Sequence, residues 1–275
     1  MATVDTRGRY RLRRNLVSRR VLTIAVLLAV AGFAAAVVLP SRASAGSTGT
    51  TSTTAATTTT TRTPSARTRI ESVFPAAGQF TVHSVAIRKT PNPNSKVIKM
   101  LHDFRPDFRP QEILAVRKQV GSDGNVWYRV SIPMRPNGTY GWIPASSVSL
   151  SPTAGQIDIH LGSRTIDLFW HSKHVYHALV AIGAPGRETP IGHYFVAARF
   201  VPYHDTFLGV FAVETSAYSK LTEWPGGGLV GIHGTSAPWL IGQAVSHGCV
   251  RVLNSTAVKL RQYAPLGTPI EIVAN

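Results

Sequence analysis

Between Val21 and Leu39 the chain carries no charged residue, and the residues ahead of that run carry Arg7, Arg9, Arg11, Arg13, Arg14, Arg19 and Arg20 against a single acid, Asp5. As a helix such a run reaches about 28 Å, close to the hydrocarbon thickness of a bilayer. This constrains everything after it, because the rest of the chain then folds on one side of a membrane while tethered to it. The arginines place residues 1–20 inside as a cytoplasmic basic arm and the remainder outside. The expectation is a transmembrane helix over residues 21–39, seated in the cytoplasmic membrane. A cleaved signal peptide is the alternative, since Ala43-Ser44-Ala45 offers an A-x-A site. The length of the apolar run and of the basic region before it favours a retained anchor.

From Ser41 to about Arg69 the sequence is Thr, Ser, Ala and Gly with scattered Arg. That composition cannot bury enough apolar surface to offset the entropy of ordering, so residues 40–75 read as a disordered Thr/Ser-rich linker acting as a spacer. The formal charge of +16 over 275 residues overstates the basicity of the folded part, because part of it sits in the N-terminal arm. No helix-turn-helix, RNA-binding or zinc-finger pattern accompanies it. Nucleic acid is therefore not an expected partner, and an anionic envelope or membrane surface is.

Beyond the linker the chain reads as mainly β. Short β-like runs at Val82–Ile87, Val97–Leu101, Ile113–Val116, Val126–Val130 and Tyr140–Ile143 are separated by Asp123-Gly124, Asn137-Gly138 and several prolines. Five such strands in residues 76–150 suggest a small barrel. Residues 153–274 have a longer rhythm, with β segments at Gln156–Leu161, Thr165–His171, His174–Ile182, Tyr194–Phe200 and Phe207–Val213. A short helix at Thr256–Tyr263 and a last strand at Pro269–Val273 complete them.

The chemistry concentrates in Gly231–Asn254, GIHGTSAPWLIGQAVSHGCVRVLN, which holds the chain's one cysteine, Cys249, together with His233 and His247. A thiol attacks as thiolate, so a nucleophilic cysteine needs an imidazole, a cation or oriented N–H groups beside it to lower its pKa. The same three residues could instead be ligands of a zinc site. An unpaired thiol on an exported chain points to reactivity, since no disulfide partner exists. His171, His174 and His177 are spaced by three, which on a strand alternates faces and argues against a metal site there. The acids of this region, among them Asp158, Asp167, Glu188 and Glu214, do not cluster in sequence as a glycosidase pair, and no G-x-S-x-G elbow supports a serine nucleophile.

His-Gly, a short Ser- and Trp-containing loop, then Ser-His-Gly-Cys-Val-Arg resembles the active-site signature of the L,D-transpeptidases with their YkuD-type catalytic domain. Ile166-Asp167-Leu168-Phe169-Trp170 with Val175–Gly183 resembles that family's opening hairpin, and Thr189-Pro190-Ile191-Gly192 its TPxG turn. Trp127-Tyr128-Arg129-Val130 and Gly141-Trp142-Ile143-Pro144 resemble a bacterial SH3-like domain, with both tryptophans expected to pack in its core. The resemblance implies an extracytoplasmic enzyme acting on peptidoglycan stem peptides and forming 3→3 cross-links through a cysteine thioester, without metal or cofactor. It implies Cys249 as nucleophile, His233 as general base and Gly234 as donor of a carbonyl that orients the imidazole. Ser246, His247, Gly248 and Arg251 belong to the same signature. It makes the Gly248 and Cys249 N–H groups candidates for an oxyanion hole, and Arg251 a residue that organises the site or meets a substrate carboxylate, or else holds the loop by a salt bridge. A non-catalytic wall-binding protein and a zinc site at His233, His247 and Cys249 are the readings from other classes.

Overall fold

The structure is a computed structural model that describes residues 73–203, 207–223 and 225–275. The basic arm, the apolar run 21–39 and almost all of the linker expected from the sequence lie outside the described residues. Among the described residues no helix is long and apolar enough to cross a membrane.

The first part of the described chain is one seven-stranded sheet. Its strands are β1 (Ala76–Phe80), β2 (Ser84–Arg88), β3 (Val97–His102), β4 (Glu112–Val120), β5 (Val126–Ser131), β6 (Tyr140–Pro144) and β7 (Val148–Pro152). They are ordered β3-β2-β6-β5-β4-β1-β7, two strands more than the five expected. The two additional ones bracket the others and pair with each other, Gly78 opposite Leu150. The reason Ala-Ala-Gly-Gln-Phe forms a strand is steric rather than intrinsic. A Cβ at Gly78 would collide with the backbone of Ser149, so only glycine permits the approach. Alternate residues Val85, Ile87, Ile113, Val130 and Ile143 point into a common core. Trp127 and Trp142 are both buried. The Trp127 indole donates to Asp123 Oδ1 at 3.0 Å, and the Arg117 guanidinium lies over the Trp142 ring.

The second part contains β8 (Gly155–His160), β9 (Thr165–Trp170), β10 (Lys173–Leu179), β11 (Ile182–Gly183), β12 (Gly192–Phe200), β13 (Ala212–Tyr218), β14 (Leu229–His233), β15 (Ala244–Ser246), β16 (Val250–Arg251), the helix α1 (Asn254–Tyr263) and β17 (Pro269–Val273). Eight of these strands make a sheet in the order β10-β9-β8-β17-β12-β13-β14-β16, while β11 and β15 pair separately. Alternation places them: Ile157 and Ile159 face the core while Gln156, Asp158 and His160 face out, and Ile270 and Ile272 repeat this around Glu271. Helix α1 lays Ala257 and Leu260 on the same core. The strand expected at Phe207–Val213 is displaced to Ala212–Tyr218 because Gly209 turns at φ +68°, where a Cβ would strike Asn254.

Strand β12 departs from alternation, and its burial explains why. Tyr194 and Val196 enter the core of the eight-stranded sheet, while Phe195 and Ala197 pack on the other side against Ala77, Leu114 and Val116 of the first sheet. A continuous apolar run is what a strand covered on both faces requires. Around this seam Arg105 pairs with Glu214 at 2.6 Å, Arg135 donates to the Ser219 and Gly227 carbonyls, and Asn137 exchanges two hydrogen bonds with the Tyr218 backbone.

Candidate active site

Cys249 lies just before β16, the edge strand that runs parallel to β14. The register pairs Ile232 with Val250 and His233 with Arg251, which sets Cys249 level with Gly231. The Gly231 N–H donates to Cys249 Sγ at 3.3 Å. A Cβ at Gly231 would stand 4.0 Å from that sulfur, 3.9 Å from His233 Cδ2 and 3.3 Å from the Val213 carbonyl. Thiol and imidazole thus flank the space that a missing side chain leaves open.

His233 is buried, 3% exposed, at the end of β14. Its Nδ1 sits 2.6 Å from the Gly234 carbonyl oxygen. A carbonyl only accepts, so Nδ1 carries the hydrogen and Nε2 is the basic nitrogen. Phe207 lies against the ring at a centroid distance of 5.8 Å, and the Arg251 guanidinium stacks on Phe207, 4.8 Å from its centroid.

The thiol does not behave as its neighbours in sequence suggest. Burial pushes the Cys249 thiol above its ordinary range, and the opposing Gly231 N–H and Arg251 charge do not cancel that effect. The resting cysteine is therefore a neutral thiol, and a thiolate requires proton transfer during reaction. Histidine 247 adds no positive charge either. Burial lowers its pKa, with the charges of Arg187 and Arg251 acting in the same direction, and Arg187 donates to its Nε2. It is a neutral imidazole that ties the Cys249 loop to the turn before β12.

Ser246 changes the expected oxyanion geometry. Its hydroxyl accepts from the Gly248 N–H at 3.1 Å and donates to the Cys249 carbonyl, so the Gly248 N–H is engaged. The Cys249 N–H remains as the candidate donor from this loop. Gly248 itself sits at φ +114°, and a Cβ there would be 2.9 Å from Ser219 Cβ, so glycine is required for shape. No carboxylate among the described residues lies within ion-pair distance of Arg251, which is 8% exposed. Burial depresses its pKa; the Cys249 thiol opposes that effect and Arg187 adds to it.

Two positioning residues were not apparent as such from the sequence. Buried Thr189 accepts from the Gly183 N–H at 2.9 Å and donates to the Gly248 carbonyl at 3.0 Å, clamping the cysteine loop from below. Asn254 Oδ1 accepts from the Val210 and Thr235 N–H groups, joining the Phe207 turn to the loop after His233. Thr189 stands in the TPxG string, and Asn254 follows the Cys-Val-Arg string, but the hydrogen bonds they make to distant segments have no sequence mark. A groove of about 820 Å³ has walls that include Glu188, Thr189 and Ser219 and, from the loop between β5 and β6, Arg135 and Asn137.

Residues 154–272 match the family model of the YkuD L,D-transpeptidase catalytic domain. This stretch is similar to a YkuD-type catalytic domain. The YkuD protein of Bacillus subtilis (strain 168) is 29% identical to it over 116 residues, and that of Bacillus licheniformis (strain ATCC 14580) is 30% identical over 117. Each alignment covers 42% of this chain and 64% of the relative, so the chain spans just under two thirds of the curated relatives it matches. Among solved structures, Bdellovibrio bacteriovorus Bd1075 is 26% identical, with 44% of this chain and 48% of that chain covered at a TM-score of 0.36. L,D-transpeptidase 3 of Mycobacterium tuberculosis is 11% identical, with 72% and 98% covered at a TM-score of 0.40. Among the described residues, the ligand atoms of Asp167, His174 and His177 gather within 4.8 Å, whereas His233, His247 and Cys249 form no such group.

Proposed function

We propose that this chain is a membrane-anchored L,D-transpeptidase working outside the cytoplasmic membrane on peptidoglycan stem peptides. In this reading residues 1–20 are a cytoplasmic arm, 21–39 the membrane span and 40–75 a spacer. Residues 76–150 are an SH3-like domain, and 153–274 are the catalytic domain. The observation that supports it most is the pairing across Gly231: a sulfur accepting from the Gly231 N–H, and an imidazole whose Nδ1–H is committed to the Gly234 carbonyl.

The reaction starts from a neutral thiol and a neutral imidazole. As the carbonyl of the third stem residue approaches, His233 Nε2 takes the thiol proton and Cys249 Sγ forms the new C–S bond. The developing oxyanion is met by the Cys249 N–H. The His233 imidazolium then gives its proton to the departing nitrogen of the terminal D-Ala, the C–N bond breaks and a thioester remains. The side-chain amine of a neighbouring stem attacks that thioester while His233 accepts its proton, which returns to Cys249 as the sulfur leaves. The product is a 3→3 cross-link, with the energy of the old peptide bond retained through the thioester. Arg251 stacks on Phe207 beside these atoms and organises them.

The test is the intact mass of the full chain after incubation with a carbapenem. Ring opening by Cys249 adds the whole mass of the drug, so the wild type should gain one such increment and Cys249→Ser none. Equal labelling of both proteins would remove Cys249 as nucleophile. A wild type that neither takes up the drug nor converts tetrapeptide muropeptides to cross-linked dimers would leave the chain as a wall-binding protein.

A further inference from the structure

A spacing of three puts His174 and His177 on opposite faces of a regular strand. Strand β10 is not regular. Its register against β9 runs His174 with Phe169, Tyr176 with Leu168 and His177 with Asp167, leaving Val175 as an inserted residue. One extra residue reverses the alternation. Tyr176 turns inward, its hydroxyl 3.2 Å from Thr256 Oγ1, and both imidazoles emerge on the outer face of the hairpin. There His174 Nε2 lies 2.6 Å, and His177 Nδ1 2.8 Å, from the same oxygen, Asp167 Oδ1. From the next strand, β8, His160 Nε2 approaches the other carboxylate oxygen at 3.7 Å.

We propose that Asp167, His174 and His177, with His160 closing the set, form a surface site for a divalent transition ion of the kind that imidazole favours, zinc being the type case. This assignment is independent of the chemistry proposed for Cys249, which lies at the opposite edge of the sheet.

The donor set fits such an ion. Two to three imidazoles and one carboxylate are ordinary zinc ligands at bond lengths of about 2.0–2.2 Å, which separates ligand atoms in a tetrahedron by roughly 3.3 Å. The three principal ligand atoms already lie within 4.8 Å of one another. The pairs now in hydrogen-bond contact need to open by about half an ångström to admit an ion of this kind. Two half-exposed side chains supply that by small rotations. Each imidazole now directs an N–H at Asp167 Oδ1; to ligate, each ring presents the lone pair of that nitrogen to the ion and carries its hydrogen on the other nitrogen. Phe169 meets the His174 ring edge-on with centroids 5.2 Å apart, which restricts its orientation.

The position gives the ion a task. Strand β10 is an edge, mostly exposed, and interrupted by its bulge. A cation joining His174 and His177 to Asp167 ties that edge to β9 at the point where the ladder is irregular, and stabilises the fold by mass action.

The experiment uses the full chain in detergent micelles, purified without a histidine tag and carrying Cys249→Ser so that no thiol competes. Zn²⁺ is titrated by calorimetry, Co²⁺ by its visible absorption, and melting is followed with and without Zn²⁺. One ion should bind per chain and raise the melting temperature. His174→Ala, His177→Ala and Asp167→Asn should each weaken binding by about 10–100-fold, and His160→Ala should weaken it less and alter the Co²⁺ spectrum. The metal-free melting temperatures of the His174→Ala and His177→Ala variants should stay near the parent's, which separates loss of ligand from loss of fold. No saturable uptake, or uptake unchanged in the His174→Ala, His177→Ala double variant, would overturn the assignment.

Discussion

The two edges of the eight-stranded sheet both display imidazoles, and they hold them by opposite means. At the β14–β16 edge, His233 is buried and its Nδ1–H is given to a backbone carbonyl, Gly234. At the β10 edge, His174 and His177 are exposed and both are given to a carboxylate, Asp167. A carbonyl orients a ring without adding charge, which leaves a modest base suited to passing a proton back and forth. A carboxylate shared by two rings gathers negative charge and lone pairs, which suits a cation. In the proposed reading the same side chain serves proton transfer in one place and ligation in the other, and the partner of Nδ1 or Nε2 decides which.

The largest effect expected is at the sulfur. Cys249→Ser should abolish carbapenem labelling and muropeptide dimer formation while leaving metal uptake at the β10 edge intact, as measured by intact mass and calorimetry on one preparation. Loss of both would mean that the two edges are not independent. Next in size, Gly231→Ala adds a methyl to the space between Cys249 Sγ and His233 Cδ2, 3.3 Å from the Val213 carbonyl. The methyl would meet the sulfur and the ring at van der Waals distance and keep them from closing on each other, which should slow acylation by about 10–100-fold. Melting should barely change, and a rate within twofold of wild type would show that the thiol and imidazole do not meet across Gly231.

Asn254→Ala removes the acceptor for two N–H groups, those of Val210 and Thr235. It should cost about 0.5–1.5 kcal/mol of stability by denaturant unfolding and slow acylation, with no change at the β10 edge. The smallest effect concerns pH. The Cys249 thiol has a folded pKa above its unfolded value near 8.5, so the unfolded chain loses that proton first. Its contribution to stability is complete below about pH 8.5 and declines above it, by at most about 1.4 kcal/mol per pH unit. Cys249→Ser should remove this part of the slope. Alkylation of the wild type should likewise climb through pH 9 instead of reaching a plateau near neutrality.

Where side chains alternate, the sequence was readable: β8, β9 and β17 stand within a residue or two of their expected positions because Ile157, Ile159, Ile166, Leu168, Ile270 and Ile272 mark one face. It was not readable where backbone sterics decide. Gly78 makes a strand by permitting contact, Gly209 delays β13, and Val175 adds the residue that turns two histidines to one side. At the candidate site the residue types were visible in Gly231–Asn254. The occupied Gly248 N–H, the raised thiol pKa and the joints made by Thr189 and Asn254 depend on burial and contacts between distant segments, which a linear pattern does not carry.

Strand β12 has one further consequence. Because Phe195 and Ala197 rest on Ala77 and Leu114, and Glu214 on Arg105, the two sheets share a seam that neither can leave without wetting apolar side chains and stranding a charge. A gene rearrangement that cut the chain at Thr153 would look harmless on a domain diagram, yet the liberated half would be sticky. Modularity here stops at the diagram, and a lineage shedding the first sheet would first have to make Phe195 polar.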